Sequence, residues 1–262
     1  MIDSNAIIHP SAHIAEDVSI APWTTIGANV VIESGTRIGS HVTIGDNTKI
    51  GTNNTIYAYA SVGSDPQHIS YKGEKTLLEV GDSNIIREFT TINRGTATGR
   101  GITRVGSQNY FMAYAHVAHD CIIGNGVVFA NTASVAGHVR VDDHAILGAF
   151  SGVHQYCRVG AYSFLGRATK IYQDILPFML VTGNPGIPNG LNTVGLKRHG
   201  FTKESIQALK KAYSLLHRRD KKWIEIRTIL AEWSENIEEI KLILEMIDTT
   251  SRGIARSEMK VE

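Results

Sequence analysis

Aliphatic residues recur every six positions along the chain. In the opening stretch this register is unbroken, at Ile8, Ile14, Ile20, Ile26, Ile32, Ile38, Ile44, Ile50, Ile56 and Val62. A period of six fits neither an α-helix nor a simple strand. It predicts a hexapeptide β-helix, in which each hexad forms one short strand and one corner, and three hexads complete a triangular coil of 18 residues.

The positions between the aliphatic residues fit the same coil. Small or β-branched residues such as Val18, Thr24 and Val30 stand two positions before the next aliphatic residue, where they fill the space beside it. Gly, Asn and Asp serve the corners, since they tolerate tight turns.

The register breaks twice, near 64–77 and near 96–104, and then continues to Ile171. Long loops in an ordered repeat commonly bind ligands. We therefore expect these two excursions to form walls of a site.

The sequence after the repeat changes character. Pro177 is predicted to end the repeat, and an irregular stretch rich in Gly and Pro follows it. Thr202 is a plausible N-cap for helical segments near 203–218, 221–233 and 235–248. The predicted fold is mainly β, with a β-helix over 1–177, a connector over 178–201 and a C-terminal α-helical domain over 202–262.

Composition narrows the function classes. Charged residues make up 19% of the chain and the net charge is +1, which gives no general case for binding nucleic acid. No apolar run approaches the roughly 18 residues of a transmembrane segment, and no signal peptide is recognisable at the N-terminus. Cys121 and Cys157 would lie two coils apart, roughly 9–10 Å, too far for a disulfide. We expect a reduced, cytoplasmic protein that packs its flat faces as a homotrimer.

Five of the 11 histidines fall between positions 115 and 160, at His116, His119, His138, His144 and His154. In an 18-residue coil His119 stacks beside Gly137, whose backbone N–H is accessible because glycine has no side chain. A base beside an exposed N–H suits acyl transfer: the imidazole takes a proton and the N–H stabilises the oxyanion. Asp120 is adjacent and could orient the ring.

Two other interpretations of these histidines remain open. Each could be a solvated or structural corner residue. His116 and His119 also have a spacing that resembles a metal-ligand pair, but they straddle a corner, and no cysteine or carboxylate set accompanies them at zinc-like spacing. We predict no metal. Walker, Rossmann and Ser–His–Asp signatures are absent from the sequence.

Several motifs together resemble the UDP-N-acetylglucosamine O-acyltransferase family: AHVAHDC (115–121), AGHV (136–139), VHQYC (153–157), NTVGLKRHGF (192–201) and SRGI (251–254). The resemblance covers the whole chain. It implies a left-handed β-helix, assembled as a trimer with active sites in the clefts between subunits. It also implies transfer of an (R)-3-hydroxyacyl chain from acyl carrier protein to the sugar 3-position, the first step of lipid A biosynthesis. No cofactor is implied, because 4′-phosphopantetheine arrives on the carrier protein.

The resemblance assigns roles to individual residues. His119 is the general base and the Gly137 N–H is the oxyanion donor. The residues implied to line the sugar-nucleotide and acyl site are Gln67, His116, His138, His154 and Gln155. Asn192, Arg198 and His199 approach nucleotide phosphates or the phosphopantetheine arm, a role that suits a guanidinium, although Arg198 could also be a solvated loop cation. A basic docking surface for the acidic carrier protein would comprise Arg94, Arg100, Arg104, Lys197 and Arg198.

The chain departs from the family pattern at the sugar end of the site. The family loop usually reads Pro-Gln-Asp-Leu-Lys-Tyr, whereas this chain has His68 in place of the Asp and Ser70 in place of the Lys. Asn93 stands where a His is common, and Val194 where a Glu is common. One hypothesis is that the acceptor is the 3-amino analogue, since a Lys would repel a partly protonated amine and Ser70 would not. The alternative is drift with the hydroxyl acceptor retained.

Arg167 is a second departure, because members that accept long acyl chains often have Gly there. A large residue at the end of the acyl groove would shorten the accepted chain. Alternatively, the Arg167 side chain folds along the wall with its head in water.

Two other functions remain in view. One is a coenzyme A-dependent N-acyltransferase of a nucleotide-linked amino sugar for surface polysaccharide. The motif GLKRHGF and the helical domain argue against it, because they fit the UDP-N-acetylglucosamine O-acyltransferase family better. The other is a catalytically inactive β-helix that binds a sugar nucleotide or acts as a structural trimer. The pairing of His119 with Gly137 argues against this function.

Overall fold

A computed structural model describes residues 1–217 and 221–256, and shows three sheets of short strands wound into consecutive coils. Sheet 1 contains β1 Ile7–Ile8, β4 Thr25–Ile26, β7 Thr43–Ile44, β10 Ser61–Ser64, β13 Thr91–Asn93, β16 His116–Val117, β19 Ser134–Val135, β22 Gly152–Val153 and β25 Lys170–Ile171. Sheet 2 contains β2 His13–Ile14, β5 Val31–Ile32, β8 Thr48–Ile50, β11 Leu77–Val80, β14 Ile102–Val105, β17 Ile122–Ile123, β20 Arg140–Val141 and β23 Arg158–Val159. Sheet 3 contains β3 Ser19–Ile20, β6 Arg37–Ile38, β9 Thr55–Ile56, β12 Ile85–Ile86, β15 Tyr110–Phe111, β18 Val128–Phe129, β21 Ile146–Leu147, β24 Phe164–Leu165, β26 Met179–Thr182 and β27 Ile187–Leu191. The predicted β-helix is confirmed.

The six-residue pattern fixes both register and core. Strands one coil apart pair in parallel, so that Ser134 lies between His116 and Gly152 in sheet 1. The repeating aliphatic residues are buried, as Ile32 and Ile44 illustrate at 1% and 0% exposure. Thr24, one of the small or β-branched residues that stand two positions before an aliphatic residue, is also fully buried. Each buried aliphatic side chain contributes about 1.5–3 kcal/mol.

Both excursions leave the coil at the same edge. The chain passes from β10 in sheet 1 to β11 in sheet 2 through the first excursion, and from β13 to β14 through the second. The segment between β16 and β17 makes the same crossing without an insertion, and it carries His119. We call this edge the sheet 1–2 corner. The topology therefore brings both loops and His119 to one corner.

The corners use bulkier residues than the sequence led us to expect. The left-handed backbone conformation occurs at Asp120, His138 and Tyr156, with φ of 60°, 63° and 65°. This conformation costs about 1–2 kcal/mol for a residue with a Cβ. Ring stacking between coils offsets part of the cost, as His138 and Tyr156 lie parallel with centroids 4.5 Å apart.

The prediction of an irregular connector over 178–201 was wrong. Strand β26 pairs in parallel with β24, so sheet 3 continues beyond Pro177, and β27 then pairs antiparallel with β26. A short helix, α1 (Thr193–Arg198), follows and is capped by the Asn192 side chain. The physical reason is that Met179 and Val181 are fully buried, and this burial outweighs the local preference of Pro177 for a break.

Three helices follow: α2 Lys203–Leu216, α3 Trp223–Ser234 and α4 Glu238–Thr249. Thr202 caps α2 as predicted, since its Oγ1 accepts a hydrogen bond from the Ser205 N–H at 3.1 Å. The last position of the predicted segment 203–218 and the last part of 202–262, from 257 onward, lie outside the described residues. No helix of the described ranges is long and apolar enough to cross a membrane.

Candidate active site

His119 and Asp120 form the centre of the site at the sheet 1–2 corner. The Nδ1 atom of His119 lies 2.8 Å from Oδ2 of Asp120, whose side chain is fully buried. Because a carboxylate accepts, Nδ1 carries the proton in this pair, and Nε2 is left as the basic nitrogen. About an eighth of the His119 side chain remains exposed, at 12%, so a ligand can reach it.

The second excursion holds Asp120 in place. The Thr96 N–H donates to Oδ1 and Oδ2 at 3.1 Å, the Thr96 hydroxyl to Oδ2 at 2.6 Å, and the Arg100 N–H to Oδ1 at 2.8 Å. Burial alone would raise the pKa of Asp120, but the hydrogen bonds from Thr96 and His119 outweigh it and lower that pKa. Asp120 is thus a fixed, charged acceptor. The second excursion, which we expected to form a wall of the site, instead holds the Asp120 carboxylate in place by hydrogen bonds.

Gly137 lies one coil along from His119, as the 18-residue period predicts. A Cβ added to Gly137 would lie 2.5 Å from Cε1 and 2.8 Å from Nε2 of His119, closer than real Cβ atoms approach. Within residues 1–217 and 221–256 the Gly137 N–H donates no hydrogen bond, whereas the next N–H, of His138, donates to the His119 carbonyl at 3.0 Å. The basic nitrogen and a free backbone donor therefore sit side by side.

A cavity of about 440 Å³ opens beside this pair. It runs over the outer face of sheet 1 and is lined by Gln67, His116, Ala118, His119, Ser134, Val135, Ala136, Gly137, Gly152, Val153, His154, Lys170, Ile171 and Tyr172. The structure thus brings Gln67, His116, His119, Gly137 and His154 together around one space.

His116 and His138 flank the centre. His116 pairs with the Thr91 hydroxyl at 2.7 Å, and burial followed by the nearby His119 lowers its pKa. His138 stands edge-on to His119, with ring centroids 5.2 Å apart. Burial lowers the pKa of His138 even though the Asp120 carboxylate, 3.8 Å from its Nε2, opposes the shift. Both rings are therefore disposed to be neutral at pH 7.

The first excursion reaches over the site because its base is pinned by Arg94. This guanidinium donates to the Gly63 carbonyl at 2.8 Å, to the Tyr71 hydroxyl at 3.1 Å and to the Asp65 carboxylate. Its side chain is only 7% exposed. The assignment of Arg94 to a basic docking surface was therefore wrong. Its hydrogen-bond donors were needed inside the loop, where carbonyls would otherwise lack partners.

The tip of the same loop carries three of the residues singled out by sequence. Gln67 lines the cavity, and the ring of His68 meets His119 edge to face, with centroids 5.2 Å apart. Ser70 is exposed and its N–H donates to Nδ1 of His68 at 3.3 Å. Asn93 is buried and donates to the Asp65 carbonyl at 2.7 Å, so it helps to anchor the loop.

Asn192, Arg198 and His199 lie at another corner. Asn192 donates to the Tyr162 carbonyl at 3.0 Å, and the rings of His199 and Tyr162 are 5.2 Å apart. Tyr162 follows β23 of sheet 2 and precedes β24 of sheet 3. Arg198 is exposed in the last turn of α1. Within one subunit these three residues are therefore not at the sheet 1–2 corner with His119.

The remaining predicted residues are exposed. Gln155 follows His154 at the sheet 1–2 corner, and its carbonyl lies 3.2 Å from Nδ1 of His154. The Arg167 guanidinium lies 5.6 Å from the centroid of the Phe150 ring. Lys170 shares that neighbour, since its Nζ donates to the Phe150 carbonyl at 3.1 Å.

Sequence reasoning missed three contributors to the site. Thr96 holds Asp120 from a loop with no repeat register, Lys170 lines the cavity, and Arg252 contacts His154 from beyond the last helix. Only Lys170 carried a signal: it stands three coils along from His116 in the same strand column, so the 18-residue period places it on the same outer face.

The two cysteines are poor candidates for a nucleophile. Both are free and buried. Burial raises the pKa of Cys121 to about 12 and that of Cys157 to about 11. The nucleophilic thiolate form is therefore negligible.

His119, Asp120 and His138 also offer potential metal-ligand atoms within 4.8 Å of one another. The Asp120 oxygens already accept the hydrogen bonds from Thr96, Arg100 and His119, so a cation would have to displace them. The arrangement favours proton transfer by a carboxylate-oriented imidazole.

Family models agree with this combination of coil and site. The bacterial transferase hexapeptide model matches residues 1–34 and 102–137, which defines the class as hexapeptide-repeat transferases. The model described as UDP-N-acetylglucosamine O-acyltransferase, domain 2, matches residues 174–255.

Similar proteins cover nearly the whole chain. Acyl-[acyl-carrier-protein]–UDP-N-acetylglucosamine O-acyltransferases of Thiobacillus denitrificans and Alkalilimnicola ehrlichii are 51% and 53% identical, over 97% of this chain and 99% of each relative. The crystal structure of the Francisella novicida UDP-N-acetylglucosamine acyltransferase is 44% identical, with a TM-score of 0.97 over 99% of this chain and 95% of that one. The chain belongs to the UDP-N-acetylglucosamine O-acyltransferase family and is an acyltransferase.

Proposed function

We propose that the protein transfers an (R)-3-hydroxyacyl chain from acyl carrier protein to the 3-position of UDP-N-acetylglucosamine in lipid A biosynthesis. The observation that carries this proposal is the position of Nε2 of His119 beside the free N–H of Gly137. The names of the similar enzymes supply the two substrates.

The geometry supports a simple sequence of proton transfers. Nε2 of His119 takes the proton from the sugar 3-hydroxyl as its oxygen attacks the thioester carbonyl. The Gly137 N–H donates to the oxyanion of the tetrahedral intermediate. The intermediate collapses, the carbon–sulfur bond breaks, and the proton on His119 passes to the leaving phosphopantetheine thiolate. Asp120 holds the ring and stabilises the imidazolium that forms transiently.

A homotrimer would complete the site. His119 and the cavity lie at the sheet 1–2 corner, whereas Asn192, Arg198 and His199 lie at the corner between sheets 2 and 3. Side-by-side packing of the β-helices would bring the corner between sheets 2 and 3 of one subunit to the sheet 1–2 corner of the next subunit. Nucleotide or phosphopantetheine recognition by Arg198 would then act across the interface, and exposed Lys197 beside it would favour the acidic carrier protein.

Mixing variants tests the shared site. We expect His119→Gln and Arg198→Ala each to lose activity when expressed alone. If the site is shared between subunits, randomly mixed trimers contain intact sites at about a quarter of positions under closed cyclic symmetry. Activity would then return to about that fraction. No recovery in mixed trimers of demonstrated composition would place both residues in one subunit's site and refute the shared arrangement.

The identity of the acceptor is a finer part of the proposal. Ser70 is exposed, uncharged and adjacent to the His68 ring that meets His119. A loop without a lysine there accepts the 3-amino analogue without charge repulsion, giving an amide. We propose that the enzyme uses this acceptor as well as the hydroxyl sugar.

The test is a direct product analysis. Purified protein is incubated with (R)-3-hydroxyacyl carrier protein and each UDP-sugar in turn, and products are identified by mass spectrometry. Ester formation on the hydroxyl sugar supports the main proposal, and a comparable rate of amide formation supports the amino acceptor. A Ser70→Lys variant should lose amide formation selectively. Activity only with coenzyme A thioesters would overturn the carrier-protein assignment.

A further inference from the structure

The segment after α4 returns to the coil and is fastened at one buried carboxylate. Asp174 is 2% exposed, and its side chain accepts hydrogen bonds from the Thr250 hydroxyl at 2.6 Å and the Arg158 N–H at 2.7 Å. Its backbone N–H donates to the Gly253 carbonyl at 2.8 Å, and its carbonyl accepts from the Ala255 N–H at 2.9 Å. Residues 250–255 are therefore held on both sides of position 252.

This attachment brings Arg252 to the rim of the active-site cavity. Its Nη2 atom lies 3.4 Å from Nδ1 of His154, and His154 lines the cavity together with His119 and Gly137. The sequence separation of 98 residues shows that only tertiary structure creates this contact. Arg252 is exposed as a residue. Its guanidinium also hydrogen-bonds to the Cys157 thiol, which opposes the rise that burial causes in the pKa of that thiol.

Arg252 differs from nearby arginines in its charge balance. Arg158 pairs with Asp142 and Glu245, and Arg227 forms a two-point pair with Asp248. Arg252 differs from these two arginines because none of the ion pairs within the described ranges 1–217 and 221–256 includes it. A guanidinium that forms no ion pair with the described residues and is held at the rim of a cavity has the fork of donors that matches a phosphate.

We propose that Arg252 binds a phosphate group of a substrate at the His154 side of the cavity. This inference rests on the proposed function, whose two substrates each bring such a group: the diphosphate of the UDP-sugar and the phosphodiester of the phosphopantetheine arm. The residue binds and positions the substrate and takes no part in proton transfer at His119.

The test uses the full-length protein and the variants Arg252→Gln and Arg252→Lys. UDP-N-acetylglucosamine affinity is measured by calorimetry without turnover, and KM is measured for each substrate. We expect Arg252→Gln to weaken binding of the phosphate-bearing substrate about tenfold to a hundredfold, in keeping with loss of a charged hydrogen bond. The kcat should change much less, and the Lys variant should fall in between because it keeps the charge but not the fork.

Two further variants separate binding from folding. Arg227→Gln removes an exposed, paired arginine outside the cavity and should leave both KM values unchanged. Thr250→Val keeps Arg252 but removes one hydrogen bond to Asp174 and so loosens the attachment of residues 250–255. It should raise the KM that Arg252→Gln raises, but by a smaller factor. Thermal unfolding of Arg252→Gln should match that of the wild type.

The outcomes identify the phosphate or reject the site. Weaker UDP-sugar binding assigns the diphosphate, whereas a raised KM for acyl carrier protein alone assigns the phosphopantetheine arm. Unchanged constants for both substrates, or a lowered thermal stability with unchanged constants, would overturn the proposal while leaving the function intact. Wild-type protein that neither binds the sugar nucleotide nor transfers the acyl chain would instead refute the function, and this inference with it.

Discussion

Oδ2 of Asp120 lies 2.8 Å from Nδ1 of His119 and accepts a hydrogen bond from it, and the carboxylate is fully buried. The carboxylate therefore selects the tautomer whose unprotonated Nε2 lies beside Gly137. In Asp120→Asn the amide can donate to Nδ1, which would favour the unproductive tautomer. We expect kcat to fall at least about tenfold, while calorimetry shows an unchanged affinity for UDP-N-acetylglucosamine. A normal kcat in the folded variant would show that the carboxylate has no role in orientation.

Gly137→Ala should inactivate the enzyme through sterics. The new Cβ would fall within 2.8 Å of the basic nitrogen of His119, so the imidazole must move away from the oxyanion position. We expect a loss of kcat of about a hundredfold or more, comparable with removal of an oxyanion donor. Circular dichroism and thermal unfolding serve as the control for folding. Retention of most activity would mean that neither the ring position nor the N–H at this corner is critical.

Arg94→Met should loosen the first excursion. The variant loses charged hydrogen bonds to Gly63, Asp65 and Tyr71 from a buried guanidinium. We expect the free energy of unfolding to fall by about 2–3 kcal/mol, and KM for the sugar to rise because Gln67 is no longer held over the cavity.

Arg104→Met is the matched control for Arg94. Arg104 pairs with Glu79 on the surface, and more than half of its side chain is exposed. An exposed pair of this kind contributes less than about 1 kcal/mol. Urea denaturation of the two variants should therefore differ clearly. Equal losses would contradict the anchoring role of Arg94.

Arg167→Gly should lengthen the preferred acyl chain. The guanidinium rests over the Phe150 ring, near the Lys170 end of the groove, and its removal opens space there. Each additional buried methylene contributes about 0.8 kcal/mol, or roughly fourfold in relative rate. Competition between carrier proteins of different chain length would measure this shift. An unchanged preference would place the Arg167 side chain outside the acyl path.

His116 should make stability depend on pH. Burial and the neighbouring His119 lower its pKa in the folded state. The unfolded chain then binds the proton more readily, so stability falls as pH drops below the ordinary histidine range, by up to about 1.4 kcal/mol per pH unit while only the unfolded form titrates. Denaturant melts at about pH 7.5 and pH 5.5 should show a smaller loss for His116→Gln than for wild type. Parallel losses would exclude this contribution.

The parts of the fold and of the site that follow the six-residue repeat could be predicted from the sequence. An 18-residue period places His119 beside Gly137 and fixes the sheet register without any knowledge of long-range contacts. The support of Asp120 by Thr96 and the burial of Arg94 were not predictable in this way, because both depend on loops that leave the repeat. The contact between Arg252 and His154 joins segments 98 residues apart and depends on the docking of 250–255 at Asp174. Beyond Pro177, burial of Met179 and Val181 outweighed the local signals for an irregular chain.

The role of His119 as general base is tested most directly by the turnover of His119→Gln with (R)-3-hydroxyacyl carrier protein and UDP-N-acetylglucosamine. If His119 is the general base, kcat falls by about 10²–10⁴, while thermal stability and the affinity for UDP-N-acetylglucosamine remain those of the wild type. A folded, substrate-binding variant that turns over within about tenfold of the wild type would show that His119 is not the general base and that a different group accepts the proton.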